Sequence, residues 1–209
     1  MGIPSYFSYI VRNHRNIIKK LSVSADSPKI NNLYLDCNSF IYDAHHQLSA
    51  SSKTTSGSSK TSGSSKTSGS SKTSTAVYEE TIIKHVCESL IKMLKQLQPN
   101  KRILIAFDGV APMAKLNQQR NRRYMTAFQK SVDGDKSQWN TASITPGTAF
   151  MQKLGQTITK RFQTPCEFGL EQIIVSSSEE PGEGEHKIYE YIRNNADYHK
   201  GTRTIIYGL

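Results

Sequence analysis

Four carboxylates stand where short apolar runs end or where a glycine-rich turn enters a helix. Asn32-Leu33-Tyr34-Leu35-Asp36 and Ile103-Leu104-Ile105-Ala106-Phe107-Asp108 each close on an aspartate. Pro181-Gly182-Glu183-Gly184-Glu185-His186-Lys187 carries two glutamates one glycine apart. Apolar runs of this length read as buried strands, and ligands of open α/β sheets collect beyond the carboxyl ends of the strands. On a regular helix Glu183 and Glu185 would point to different sides. In a glycine-bearing loop entering a helix, both can turn toward one point. Each acid alone is better explained as a helix cap or a solvated charge. All four at equivalent positions of successive units would repel strongly unless a hard divalent cation shared them. An all-oxygen set of this kind suits Mg²⁺ or Mn²⁺.

A basic constellation follows Asp108. Pro112 at a first helical turn opens a helix to about Phe128. On it Gln119, Arg122 and Arg123 lie four, seven and eight residues after Lys115, so the set lines one helical face. A guanidinium grips phosphate oxygens bidentately, Lys adds a point charge and Gln donates an amide hydrogen bond. A solvated basic face is the plain alternative. The interposed Gln119 and the nearby Asp108 favour a receptor for a terminal phosphate.

These residues need a scaffold, and the hydrophobic pattern describes one. Strands are expected at 32–36, 103–108, 172–176 and 204–207. Helices are expected at 77–97, 112–128, 144–162 (after the Thr145-Pro146-Gly147 turn) and 185–194. Strand and helix alternate, which predicts an α/β fold with a largely parallel sheet flanked by helices. Between the first strand and the first helix, residues 49–75 repeat Ser-Ser-Lys-Thr-Ser-Gly. With almost no apolar side chain to offset the entropy of ordering, this low-complexity insertion is expected to be disordered.

Composition sets the outer bounds. The 209 residues suffice for one ordinary domain, with a net charge of +10 at pH 7 that points to a polyanionic partner. Lys53, Lys60, Lys66 and Lys72 of the repeat supply four of those charges. No apolar run is long enough to span a bilayer and no signal segment opens the chain, so no membrane partner is expected. Cys37, Cys87 and Cys166 lack zinc spacing and are expected to be reduced, mostly buried thiols. With no dense basic targeting run, the cytoplasm is the default compartment and the nucleus stays open.

Several blocks together resemble the catalytic amino terminus of the XRN family of 5′→3′ exoribonucleases, across nearly the whole chain outside the repeat. They are Met1-Gly2-Ile3-Pro4 with Tyr6-Phe7, Leu33-Tyr34-Leu35-Asp36-Cys37-Asn38, the run from Asp108 to Arg123, Ile144-Thr145-Pro146-Gly147-Thr148, Pro181 to Ile188, and Tyr207-Gly208-Leu209. The resemblance implies a PIN-like nuclease core, with Asp36, Asp108, Glu183 and Glu185 as catalytic carboxylates binding Mg²⁺ (or Mn²⁺). It implies that Lys115, Gln119, Arg122 and Arg123 receive the 5′-monophosphate of single-stranded RNA.

Two departures accompany it. Family members usually carry a base-stacking His six residues after the first Asp; here Tyr42 stands there, and any aromatic face can stack. The family also continues its Tyr-Gly-Leu with an Asp-x-Asp pair for a second metal, whereas the sequence ends at Leu209. A companion polypeptide carrying the remaining nuclease region is therefore one expectation. A non-catalytic or split fragment that binds 5′-phosphorylated RNA is the alternative of a different class, and a flap-endonuclease-like DNA nuclease is the alternative enzyme.

Overall fold

The computed structural model describes residues 5–17, 19, 29–55, 70–132 and 139–208. In chain order these form helix α1 (Tyr6–Asn13), strand β1 (Asn32–Asp36), helices α2 (Asn38–Thr55) and α3 (Ser70–Leu97), and strand β2 (Arg102–Ala106). Helices α4 (Met113–Val132) and α5 (Ala149–Arg161), strand β3 (Gln172–Ser176), helices α6 (Gly184–Asn194) and α7 (Ala196–His199), and strand β4 (Thr204–Tyr207) follow. The strands lie in the order β3-β2-β1-β4, and every neighbouring pair is parallel. This is the α/β architecture that the alternation predicts.

Side chains alternate across a strand, and the two faces of β1 and β2 bury against different partners. Leu33, Leu35, Ile103 and Ile105 join a large core with Ile41 of α2, Ile82, Val86 and Leu90 of α3, and Leu154 and Ile158 of α5. Tyr34, Leu104 and Ala106 face the other way, onto Ile188 of α6. Both faces are thus covered, as a parallel sheet requires, and every strand delivers its carboxyl end to one edge. The register Asp36↔Ala106↔Ser176 aligns those ends across three strands.

Element boundaries differ from expectation at several points. Strand β2 ends at Ala106, so Asp108 lies in the turn beyond it rather than at a strand terminus. Helix α5 begins at Ala149 and not at 144, because Thr148 caps it by accepting from the Met151 N–H and Gly147 before it has φ 87°. Helix α2 is absent from the sequence-based reading. Its buried face (Phe40, Ile41, Ala44) includes His45, a polar residue that breaks the apolar pattern. His45 packs against Trp139 at 5.0 Å and shares a 2.9 Å hydrogen bond with Tyr78.

The repeat's flanks are helical. Residues 49–55 complete α2 and 70–75 open α3, which narrows the expected insertion; residues 56–69 lie outside the described residues. Once the buried parts of α2 and α3 have formed the helix nucleus, extending it through Ser, Thr and Lys costs only a few tenths of a kcal/mol per residue. The cysteines are free, as expected, but only Cys37 is buried; Cys87 is half-buried and Cys166 exposed. Among the described residues, no helix is long and apolar enough to cross a membrane.

Candidate metal and phosphate site

The carboxyl edge of the sheet gathers three chain segments by backbone pairing. After β2, the Gly109 N–H donates to the Gly182 carbonyl at 2.8 Å and the Gly182 N–H donates to the Val110 carbonyl at 2.9 Å. The approach is so close that a Cβ on Gly109 would lie 1.8 Å from the Glu180 carbonyl oxygen. Only glycine fits there. Lys187 fastens the assembly from below, its Nζ donating to the carbonyls of Phe107 at 2.8 Å and Ser177 at 2.7 Å. Burial pushes the Lys187 ammonium below its ordinary range.

Within this frame Asp108 is fully engaged. One carboxylate oxygen accepts the Gly184 N–H at 2.8 Å, at the positive amino end of α6, and the other accepts from Asn38 Nδ2 at 2.7 Å. Asn38 Oδ1 in turn accepts the Asp108 N–H at 3.1 Å, so the start of α2 locks the turn after β2. Burial nevertheless raises the Asp108 carboxyl, the Gly184 hydrogen bond opposing it. Asp36 lies against the same turn: a Cβ on Gly184 would meet its Oδ1 at 2.5 Å. Burial first, then the charges of Asp108, Glu185 and Glu183, push the Asp36 carboxyl up to about 6.

Glu183 sits at the N-cap of α6 with Glu185 in the first turn. The two glutamates and His186 present ligand atoms within 4.8 Å of one another, so they do converge. Asp36 and Asp108, expected to converge with the glutamates, are not part of this trio, although they lie within its electrostatic reach. His186, Asn38 and Lys187 are members of the site to which the sequence-based reading assigns no role. The parallel register would have found Asn38, since Asp36↔Ala106 carries residue 38 opposite residue 108.

The basic face of α4 meets the acids directly. Lys115 Nζ lies 2.5 Å from Glu183 Oε2, and Gln119 Nε2 donates to Glu183 Oε1 at 3.3 Å. The hydrogen bond to Glu183 raises the Lys115 ammonium above its ordinary range. Arg122 and Arg123, further along the same face, are exposed. Tyr42, on α2, is 40% exposed. Burial first, then the charge of Asp108, raises its phenol above the ordinary range, with Arg122 and Arg123 opposing. A cleft of about 350 Å³ between α5 and the Ser177–Glu179 turn contains none of these side chains.

Do the residues fit a divalent cation? Asp36 Oδ1 is buried and has no hydrogen-bond partner, a costly state for an acceptor unless a cation meets it. Four acids share one field, and the ammonium of Lys187 is turned to carbonyls instead. They fit. Carboxylate oxygens suit Mg²⁺ or Mn²⁺.

The family model described as XRN 5′-3′ exonuclease N-terminus matches residues 1–209. The chain belongs to that family. Among curated relatives of this XRN-family chain, 5′-3′ exoribonuclease 1 of Saccharomyces cerevisiae is 33% identical over 227 residues, covering 100% of the chain and 13% of the relative. The 5′-3′ exoribonuclease 2 of Eremothecium gossypii is 30% identical over 257 residues, covering 100% of the chain and 25% of the relative. The 5′-3′ exoribonuclease 1 of Schizosaccharomyces pombe is 29% identical over 226 residues, covering 100% and 15%. The XRN-family chain thus spans a quarter or less of the length of these relatives.

Proposed function

We propose that this chain is the part of a divalent-metal-dependent 5′→3′ exoribonuclease that receives the 5′-monophosphate of single-stranded RNA and presents the first set of metal-binding carboxylates. One observation carries the reading: the phosphate-binding face of α4 touches the acid cluster, through Lys115 and Gln119 on Glu183. A terminal phosphate held by Lys115, Gln119, Arg122 and Arg123 would therefore bring the 5′ end of the strand beside the acids.

In this scheme each side chain has a distinct task. The arginines clamp phosphate oxygens bidentately, while Lys115 and Gln119 orient the remaining oxygens. Tyr42 offers its ring to the leading base. Asp36, Asp108, Glu183 and Glu185 hold the cation, Mg²⁺ or Mn²⁺. When bound, the cation would lower the pKa of an attacking water. Asn38 and the Gly184 N–H fix the orientation of the Asp108 carboxylate at the start of α6. A cation for the leaving oxygen needs further carboxylates. The greater length of the relatives favours their supply by polypeptide outside residues 1–209, continuous with this chain or a companion to it.

The deciding experiment compares binding of 5′-phosphorylated RNA, 5′-hydroxyl RNA and a DNA flap by fluorescence anisotropy in Mg²⁺. Tighter binding of the phosphorylated single strand is expected. A preference for the flap would overturn the reading in favour of a DNA nuclease.

A further inference from the structure

Two of the four proposed receptor side chains are engaged by a carboxylate of the proposed metal set. Lys115 and Gln119 both bind Glu183, at 2.5 and 3.3 Å. Glu183 is 5% exposed, so little water is available to replace the ammonium if it leaves, and a buried charge stripped of its partner is strongly penalised. His186 Nδ1, 3.5 Å from the same carboxylate, lies on an exposed ring and is a weaker substitute. Lys115 itself is only a quarter exposed as a side chain, at the end of a flexible stem.

We propose that Glu183 couples the two sites by exchange of partners: Lys115 and Gln119 leave it for an incoming 5′-phosphate, and the freed carboxylate then takes the divalent cation. The inference rests on the functional reading above and adds its order of control. With neither ligand, ammonium and carboxylate satisfy each other. Phosphate alone would leave Glu183 buried and bare, and a cation alone would displace Lys115 from its partner. With both ligands bound, each charge has an opposite. Each ligand therefore favours the state the other needs, and the effect is reciprocal. The cation is then held tightly only when a phosphorylated 5′ end is in place.

Direct attraction between a cation and a nearby phosphate would also make binding cooperative, but the two causes differ in their dependence on Lys115. Removing the lysine abolishes partner exchange, whereas it leaves the direct attraction less neutralised and stronger. The test uses the full chain and two 2′-O-methyl RNA tetramers with uncleavable methylphosphonate linkages, one 5′-phosphorylated and one 5′-hydroxyl. Mn²⁺ binding is read from the electron paramagnetic resonance of the free ion. The phosphorylated tetramer should tighten Mn²⁺ by about tenfold, within the usual range of such couplings, and the hydroxyl tetramer should not.

Lys115→Met should bind Mn²⁺ more tightly without RNA and, at tetramer concentrations raised until anisotropy shows it saturated, lose the phosphate dependence. Gln119→Leu, which keeps the ammonium, should lose part of it. Mn²⁺ affinity indifferent to the 5′-phosphate in the unmodified chain would overturn the coupling, as would a coupling undiminished or increased in Lys115→Met. A preference for the phosphorylated tetramer at saturating Mn²⁺ reports the receptor itself. Absence of that preference would remove the underlying reading, whereas the same preference with and without Mn²⁺ would remove the coupling alone.

Discussion

Asp36 carries a charge that its surroundings resist, and the sign of the resulting pH effect can be worked out. Its folded pKa of about 6 lies above the ordinary aspartate value of about 3.9, so the folded state holds the extra proton between those values. Stability from this group is therefore full below about pH 4 and lost as pH rises through about 6. Asp108 shifts in the same direction. In chelator, the melting-temperature advantage of Asp36→Asn over the unmodified chain should grow from pH 5 to pH 7, and a constant advantage would contradict the assignment. Arg122 and Arg123 have a different signature. Replacing both with Ala should weaken 5′-phosphorylated RNA by about 2 kcal/mol, roughly 30-fold, from lost charge-assisted hydrogen bonds. Binding of 5′-hydroxyl RNA should change far less, and equal losses in anisotropy titrations would reduce the pair to a non-specific charge patch.

Elements deliver these residues through a few cross-links, and Lys187 is the one whose loss should show most. It ties α6 to the carbonyls of Phe107 and Ser177, just before Asp108 and just after β3. Lys187→Met would strand two carbonyls and cost on the order of 2 kcal/mol. It should also weaken Mn²⁺ binding, because the glutamates of α6 would no longer be held against Asp108. Lys187→Arg should recover part of both losses, measured by thermal melting and metal titration. Unchanged Mn²⁺ affinity in a destabilised Lys187→Met would confine the lysine to stability.

At the same scale, the sequence was most legible where one periodicity governed a whole element. The strands at 32–36 and 172–176 and the helix that became α6 followed from apolar period and glycine placement. Helix α2 did not, because His45 occupies a buried position and is satisfied by Tyr78 and Trp139, partners distant in sequence. The pairing of Lys115 with Glu183 was equally hidden. Each constellation could be read as a local pattern, but their contact depends on where α4 lies against the start of α6.

For the whole molecule, the excess of positive charge and the repeat are separable. Arg122 and Arg123 lie on α4, whereas Lys60 and Lys66 fall in residues 56–69, outside the described structure. Helices α2 and α3 bury their apolar faces in the main core without those residues. Replacing 56–69 with a connector of about four residues, a common length between packed helices, shortens the loop that folding must close. Loop-closure entropy then favours the shortened chain by about 1 kcal/mol, a rise of about 2–4 °C in melting temperature at this chain length. Affinity for the 5′-phosphorylated tetramer should stay within about twofold at moderate salt, with a slightly shallower salt dependence from the removed lysines. A fall in melting temperature of many degrees would mean that the repeat packs on the domain. A selective loss of phosphorylated RNA with an intact melting curve would instead place its lysines in the receptor.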